Sequence, residues 1–313
     1  MTPGVLAALA TTVFLWASLF VATRAAVPYY GPTHLTLLRF LVASLSFGVV
    51  LLVVGARRPA RSDWPMLVSS GLLGITVCTL GIAYGTQTVK AGSASMIASL
   101  APVVAALLAT VVLGERLGGR GWLGIALGVA GVGTIAFGEG GGLRLEFGAG
   151  VLALAAIAQG ISFVIQKPGF ARFSPLELTG YTMWIGTLPM LVFLPGLPES
   201  IQTAPLDATL AILYLGVVPG AVAYYTWSYA LSRIPASRAA SFLYLVPVLS
   251  TGLGWAYLSE LPAALSFLGG ALTLSGVFLV NARRSPAPTE QPPPSAQQPS
   301  PSAVARTTPS GSA

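Results

Sequence analysis

The acidic side chains decide whether this chain could perform proton-transfer or metal chemistry. Eight of the nine lie in or beside the short polar segments that separate long apolar runs, and Glu290 lies in the C-terminal tail. A carboxylate deep within an apolar run would indicate acid–base catalysis or proton coupling. None occurs, so the sequence names no catalytic residue and no coupling ion. The nine are Asp63, Glu115, Glu139, Glu146, Glu177, Glu199, Asp207, Glu260 and Glu290.

Other reactive side chains are equally sparse. His34 is the one histidine and Cys78 the one cysteine. A metal site needs several ligands at suitable spacing, and a disulfide needs two cysteines. We therefore predict no metal, no cofactor and no enzyme activity.

Arg39 is a charged residue inside an apolar run. A charge there costs about 2.5–3.5 kcal/mol on insertion scales, so it needs a partner or water. Two interpretations stay open. In one, the guanidinium attracts an anionic or carboxylate-bearing substrate. In the other, it snorkels to the membrane surface or ties neighbouring carbonyl groups together.

Two stretches combine proline with hydroxyl groups at helical spacing. Ser95, Ser99 and Pro102 share one helical face, and Tyr244 and Pro247 share a face in the second stretch. We predict that these faces line a substrate cavity; the alternative is a kink that only serves packing.

Backbone and amide groups add to this predicted cavity. Proline leaves the carbonyl one turn earlier without its helical donor, here near Ala98 and Leu243. Gln159 lies near the middle of an apolar run, where an unpaired amide is costly, so it must contact another helix or a wet cavity. The remaining cavity candidates are Trp16, Tyr84, Ser162, Tyr181, Trp184, Tyr225 and Tyr229.

The composition indicates where these candidates reside. Hydrophobic residues make up 54% of the 313 positions and charged residues 8%, and the mean hydropathy is +0.79. A soluble domain has about a quarter of its residues charged. We predict an all-α integral membrane protein whose partner is the lipid bilayer. The net charge of +7 does not indicate nucleic acid, because the basic residues lie in short segments between apolar runs.

Ten apolar runs are of the length that crosses a bilayer, which is about 20 residues. We number them as spans 1 to 10 in chain order. Most of the Lys and Arg residues lie in segments on the same side as the N-terminus, which predicts a plasma (inner) membrane protein with both termini cytoplasmic. The spans are 4–23, 33–54, 64–86, 92–113, 121–138, 147–166, 176–196, 208–231, 236–258 and 262–282.

The chain contains an internal repeat. Ser95–Glu115 recurs 145 positions later as Ala240–Glu260, with leucines, a proline and the final glutamate in register. Spans 1–5 match spans 6–10, and because five is odd the second half is inverted in the membrane. The predicted units are a first repeat over 1–141, a second over 142–284 and a disordered Pro/Ser/Gln-rich tail over 285–313.

The ends and glycines of the spans carry two further predictions. A glutamate at a helix C-terminus opposes the helix dipole, so we interpret Glu115 and Glu260 as members of gating or structural ion pairs. Small residues are dense in spans 5 and 10 and allow close helix approach. These spans are candidates for contacts between the halves or between two copies in a homodimer.

The chain resembles EamA-type members of the drug/metabolite transporter superfamily from about residue 4 to 282. The resemblance rests on FLWASLFVATRAA in span 1, on LLRF at Leu37 to Phe40, and on the run from Pro102 to Gly114 and Glu115 with its copy. It implies ten helices around a central cavity and the export of small metabolites or drugs. The copy departs by having Ser259 before its glutamate.

These features predict a secondary transporter that moves small metabolites, such as amino acids or lipophilic and aromatic compounds, by alternating access to a midplane cavity. One alternative is an exchanger of nucleotide sugars or other phosphorylated solutes, which would need several basic groups where the sequence offers Arg39. Another is a membrane-embedded lipid-modifying enzyme, which would need a nucleophile, an acid–base pair or a metal cluster.

Overall fold

The structure is a computed structural model that describes residues 1–89, 91–115, 117–138, 147–258 and 264–281. Residues Met1–Asn281 form one compact unit. The described chain is helical throughout its ordered elements, in agreement with the all-α prediction. Glu260 and the predicted tail 285–313 lie outside the described residues.

Fourteen α-helices follow one another in the described residues, joined by short 3₁₀ and π segments. Their bounds are α1 Pro3–Val54, α2 Trp64–Gly71, α3 Cys78–Thr88, α4 Ala91–Ala98, α5 Leu100–Val112, α6 Gly119–Gly138, α7 Phe147–Gln166, α8 Pro175–Thr187, α9 Leu197–Thr203, α10 Leu206–Leu215, α11 Ala223–Arg233, α12 Ala236–Ser241, α13 Leu245–Leu258 and α14 Ala264–Asn281.

Several continuous helical stretches are long and apolar enough to cross a membrane. Five such stretches lie among the described residues, and a sixth is the pair Pro175–Phe193 and Leu197–Thr203, which is bent by 83°. Their outward faces carry large apolar side chains, including Leu52 at 87% and Val192 at 71% exposure. Hydrocarbon, not water, suits such a surface, so the chain is a multi-pass membrane protein. The five are Pro3–Val54, Arg61–Thr88, Gly150–Ala171, Leu206–Arg233 and Ala236–Tyr257.

The first helix is two helices joined at a glycine. Gly31 has φ 65° and ψ 167°, a conformation that interrupts α1 between predicted spans 1 and 2. A residue with a Cβ would be strained there, and Pro32 is tolerated because the first turn of a helix needs no N–H donor. The first helix runs past the predicted end at residue 23, and Tyr30 hydrogen-bonds Thr209 at 2.6 Å near its end.

One π-helical segment lies in each of the two predicted repeats. They cover Leu72–Val77 before α3 and Gly216–Val222 before α11. A π segment accommodates an extra residue in the turn. The side chains after it are therefore rotated around the helix axis relative to a regular α-helix. Gly216 permits the second segment to approach α1, because a Cβ there would lie 2.7 Å from the Arg39 carbonyl oxygen.

Helices α6 and α14, which correspond to predicted spans 5 and 10, pack against each other within one chain. A Cβ at Gly276 would lie 2.6 Å from the carbonyl oxygen of Gly124 and 2.8 Å from the backbone nitrogen of Gly128. This close approach accounts for the small residues in both helices. It is a contact between the two predicted repeats within one chain, and the homodimer stays a prediction.

Candidate functional site

A cavity lies among helices that belong to both predicted repeats, 1–141 and 142–284. Its volume is about 80 Å³, measured as the space that the centre of a water molecule can occupy. Since a single water needs roughly 10–15 Å³ on that measure, the cavity holds several waters or one small solute. It is lined by Trp16, Leu19, Phe20, Arg39, Cys78, Thr79, Ile82, Ser95, Ala98, Ser99, Ala101, Pro102, Leu152, Ala156, Gln159, Phe163, Tyr224, Leu243 and Val246.

Aromatic rings form one wall of the cavity. Trp16 stacks on Phe163 with ring centres 6.2 Å apart and meets the edge of Tyr224 at 5.3 Å. Behind them Trp227, which is 1% exposed, contacts Phe163 at 4.4 Å. Ring pairs in these geometries hold one another in place. The wall is therefore a rigid apolar surface against which a small side chain or ring could pack.

Arg39 brings a positive charge to this wall. Its side chain is 3% exposed, and its guanidinium carbon lies 4.9 Å from the centre of the Phe40 ring. Nε and Nη2 are buried without a hydrogen-bond partner. Among the described lining residues it is the one with a charged side chain. The cavity thus combines an apolar surface with a single cation.

The proline-broken stretch contributes a third side of the cavity. Helix α4 ends at Ala98, Ser99 forms a turn, and α5 begins at Leu100, so the chain breaks just before Pro102. The Ser99 hydroxyl donates to the Ser95 carbonyl oxygen at 3.0 Å. In the second copy, a 3₁₀ segment at Phe242–Tyr244 interrupts the helix before the proline.

The structure brings Trp16, Arg39, Ser95, Ser99, Pro102 and Gln159 together in the cavity lining. It places other predicted cavity residues on the outer surface of the bundle. Tyr84 is 41% exposed and Tyr225 is 38% exposed. Tyr229 lies beside Tyr225, with the Arg233 guanidinium 3.5 Å from its ring centre.

The remaining predicted candidates contact other helices. The Ser162 hydroxyl donates to the Ser70 carbonyl oxygen at 3.2 Å, and the Trp184 indole N–H donates to the Ser44 carbonyl oxygen at 2.9 Å. The Tyr181 hydroxyl donates to the carbonyl oxygen of Arg57, in the segment between α1 and α2, and its ring packs edge-on against Trp184 of the same helix. None of these three is among the described lining residues.

Tyr244 and Pro247 are buried outside the cavity lining. Tyr244 is 1% exposed, and its ring fills the space that a Cβ at Gly128 would need, at 2.7 Å. Its hydroxyl has no hydrogen-bond partner in the described structure. Tyr244 therefore packs the second half against α6 and does not face the solute space.

Several lining residues were absent from the sequence prediction, among them Phe163, Tyr224, Cys78 and Thr79. For Phe163 a signal was present, because Leu152, Ala156, Gln159 and Phe163 follow one another at intervals of four, three and four on α7. Extending the face that carries Gln159 would have found it.

Glu115 joins the two halves at one end of the bundle, which we call the Glu115 end. Its carboxylate accepts hydrogen bonds from the backbone N–H groups of Ala236 at 2.7 Å and Ser237 at 3.1 Å, and from the Ser237 hydroxyl at 2.6 Å. These groups lie at the N-terminus of α12, where unpaired donors and the helix dipole favour an anion. Among the described residues, Glu115 thus caps α12 and also interacts electrostatically with Lys167, and its role in an ion pair stays a prediction.

Lys167 makes a second connection at the Glu115 end. Its ammonium donates to the carbonyl oxygens of Ile234, at 2.6 Å, and Leu231. The equivalent residue of the first half, Arg24, donates from Nη1 to the Val89 carbonyl oxygen at 3.4 Å. A cation thus contacts the end of a helix in each half, and in both cases it faces the negative end of the helix dipole.

The sequence of this chain is similar to those of known membrane transporters. The model of the EamA-like transporter family matches residues 2–137 and 146–282. A probable terminal-alkyne amino-acid exporter of Streptantibioticus cattleyicolor is 38% identical over 276 residues, which cover 88% of this chain and 93% of that protein. The uncharacterized transporter YdfC of Bacillus subtilis is 37% identical over 263 residues, covering 84% of this chain and 86% of that protein.

A solved crystal structure shares the fold. It is 24% identical to this chain and superposes with a TM-score of 0.71, covering 90% of this chain and 97% of that chain. The sequence relatives have the names of transporters and not of enzymes.

Proposed function

Because this chain belongs to the EamA-like transporter family, we propose that it is a secondary transporter that exports small metabolites by alternating access to the cavity. The observation that carries this proposal is a closed-in solute space that combines an aromatic wall with one cation. Such a space suits a small, largely apolar solute with one negative group.

The cavity lining supports an inverted repeat. A shift of 143 positions relates Trp16 to Gln159 and Phe20 to Phe163, and all four residues line the cavity. A shift of 145 positions relates three further lining pairs, which are Thr79 and Tyr224, Ala98 and Leu243, and Ala101 and Val246. A cavity on the axis between two related halves would have such a lining.

Further features support ten spans in two halves. The family model matches two ranges that lie close to the predicted repeats 1–141 and 142–284, and the π segments recur at equivalent positions. The proposed protein lies in the inner membrane with both termini cytoplasmic, which makes the Glu115 end its cytoplasmic end. The contacts of Glu115 and Lys167 would then close the cavity on that side.

The proposed substrates are amino acids with apolar or aromatic side chains and related lipophilic compounds. The small cavity volume supports a solute of amino-acid size, and the relative named as an amino-acid exporter supports the same class. Nucleotide sugars fit less well, because two phosphates call for more than one cation, and Arg39 is the one described in the lining.

The proposal is tested with the purified full-length protein in liposomes. Efflux from preloaded liposomes and exchange are measured with a panel of labelled apolar amino acids, nucleotide sugars and phosphorylated solutes. We expect protein-dependent flux of the apolar amino acids. Flux of nucleotide sugars alone would replace the proposed substrate class, and chemical conversion of liposome lipids without solute flux would replace transport with enzyme activity.

Removing the Trp16 ring should impair transport without unfolding the protein. Trp16→Ala deletes the ring that stacks on Phe163 and meets Tyr224, and we expect amino-acid flux to fall by roughly tenfold, as the loss of an aromatic contact of about 1.5 kcal/mol implies. Trp255→Ala serves as control, because Trp255 is 54% exposed on the outer surface. Equal flux in the two variants would contradict a cavity wall at Trp16.

A further inference from the structure

The guanidinium of Arg39 is buried, and two of its nitrogen atoms have no hydrogen-bond partner. Nε and Nη2 make no hydrogen bond, although the side chain is 3% exposed. An unpaired charge in a water-poor interior is strongly unfavourable, and proteins normally pair it or place it against bound ions or ligands. Arg39 lines the cavity, so the space that could hold a partner is the solute space itself.

The surroundings of Arg39 supply no anion from the described residues. Tyr224 and Cys78 lie close enough to interact with it electrostatically, but a phenol and a thiol are neutral near pH 7. The Phe40 ring centre also lies 4.9 Å from the guanidinium carbon. A cation–π contact with one ring is worth much less than a paired carboxylate.

Three described carboxylates accept hydrogen bonds from groups outside the cavity. Asp63 accepts from Arg172 and from the Ala60 N–H. Glu177 accepts from the N–H groups of Arg57 and Ser174, and Glu115 caps α12. None of these carboxylates lines the cavity within the described chain.

The alternative roles considered for Arg39 find no support in its contacts. Snorkelling would carry the charged head to the membrane surface, yet the head is buried and lines the cavity. Tying helices together through carbonyl groups would occupy the guanidinium nitrogens, yet Nε and Nη2 have no acceptor.

We propose that Arg39 binds the carboxylate of the transported solute, which makes the substrates of this cavity monocarboxylates with an apolar body. This inference rests on the proposed transport function. The carboxylate pairs with Nε and Nη2 in the forked geometry that guanidinium favours, while the apolar body packs on the wall of Trp16 and Phe163. In an amino acid, the ammonium group faces the side lined by Ala98, where Pro102 leaves the Ala98 carbonyl without its helical donor.

The test compares acids with amides of the same shape in liposomes that contain the full-length protein. The probes are L-phenylalanine with L-phenylalaninamide and 3-phenylpropionate with 3-phenylpropanamide, each labelled. We expect the wild-type protein to move each acid at least roughly tenfold faster than its amide. We expect Arg39→Gln to lower acid flux at least about thirtyfold, since it removes one partner of a buried charge pair, and to abolish the preference for each acid over its amide.

Two controls keep the result interpretable. Arg39→Lys retains the charge and should restore part of the acid flux without the forked geometry. The thermal stability of Arg39→Gln should equal or exceed that of the wild type, because the substitution removes an unpaired buried charge. Equal fluxes of acids and amides in the wild type, or an equal loss of both in Arg39→Gln with stability retained, would overturn the inference while transport stands. Absence of flux for every metabolite in the wild type would overturn the proposed function and the inference with it.

Discussion

Gly186→Leu is expected to prevent the protein from reaching its native fold in the membrane. A Cβ at Gly186 would lie 2.5 Å from the Gly71 carbonyl oxygen and would collide with the Ile75 side chain. The Thr76 hydroxyl also donates to the Gly186 carbonyl oxygen at 2.7 Å, which fixes the two backbones at this separation. Overpacking a tight contact costs about 3 kcal/mol, and here one of the obstructing groups is backbone and cannot rotate away.

The measurement is the yield of monodisperse protein after extraction in mild detergent, together with its thermal transition. Gly252→Leu is the matched control, because nothing lies within 4 Å of a Cβ at that position. We expect the control to behave like the wild type. Normal yield and melting temperature for Gly186→Leu would show that α8 does not approach α2 and the π segment Leu72–Val77 this closely.

Glu115→Ala is expected to loosen the connection between the halves at the Glu115 end. The substitution leaves the N–H groups of Ala236 and Ser237 and the Ser237 hydroxyl without their acceptor. Hydrogen bonds to a charged group contribute about 1.5–3 kcal/mol each, so we expect a loss of at least about 2 kcal/mol. The amide hydrogens of α12 should exchange faster by at least about tenfold.

Two further variants distinguish the loss of the hydrogen-bond acceptor at Glu115 from the loss of a negative charge. Glu115→Gln keeps one acceptor oxygen and should lose less than Glu115→Ala, whereas Glu199→Ala removes an exposed carboxylate from α9 and should change neither amide exchange nor stability. If α12 exchanges as slowly in Glu115→Ala as in the wild type, Glu115 does not hold the halves together.

The sequence was sufficient for the membrane class and for six of the residues that line the cavity. Arg39 and Gln159 stood out because polar groups are costly in apolar runs, and the turn at Ser99 followed from Pro102. These are local effects that act within a single helix. They required no knowledge of which helices meet.

The side chains of α11 show where periodicity fails. Sequence spacing favoured Tyr225 and Tyr229, yet Tyr224 lines the cavity. The π segment Gly216–Val222 immediately precedes α11, and it shifts the faces of the residues after it. The four-residue spacing of Tyr225 and Tyr229 places both on one face of α11, but spacing within a helix does not say which face meets the cavity.

The partners of Glu115 illustrate a second limit. Arg116 and Arg120 are its near neighbours in sequence, which suggested an ion pair. Its described partners lie at Ala236 and Ser237, more than a hundred residues away. A helix N-terminus supplies backbone N–H donors whatever its residue types are. The residue types at these positions therefore could not indicate that they bind Glu115.

Alternating access is tested most directly by the native Cys78, which is a free thiol in the cavity lining. The membrane-impermeant reagent 2-sulfonatoethyl methanethiosulfonate is applied to either face of sealed, oriented vesicles, with Cys78→Ala as the unlabelled control. Our account predicts that Cys78 is modified from both faces and that L-phenylalanine slows both reactions. Modification from one face alone, or at rates that the amino acid leaves unchanged, would contradict a single cavity that opens to each side in turn.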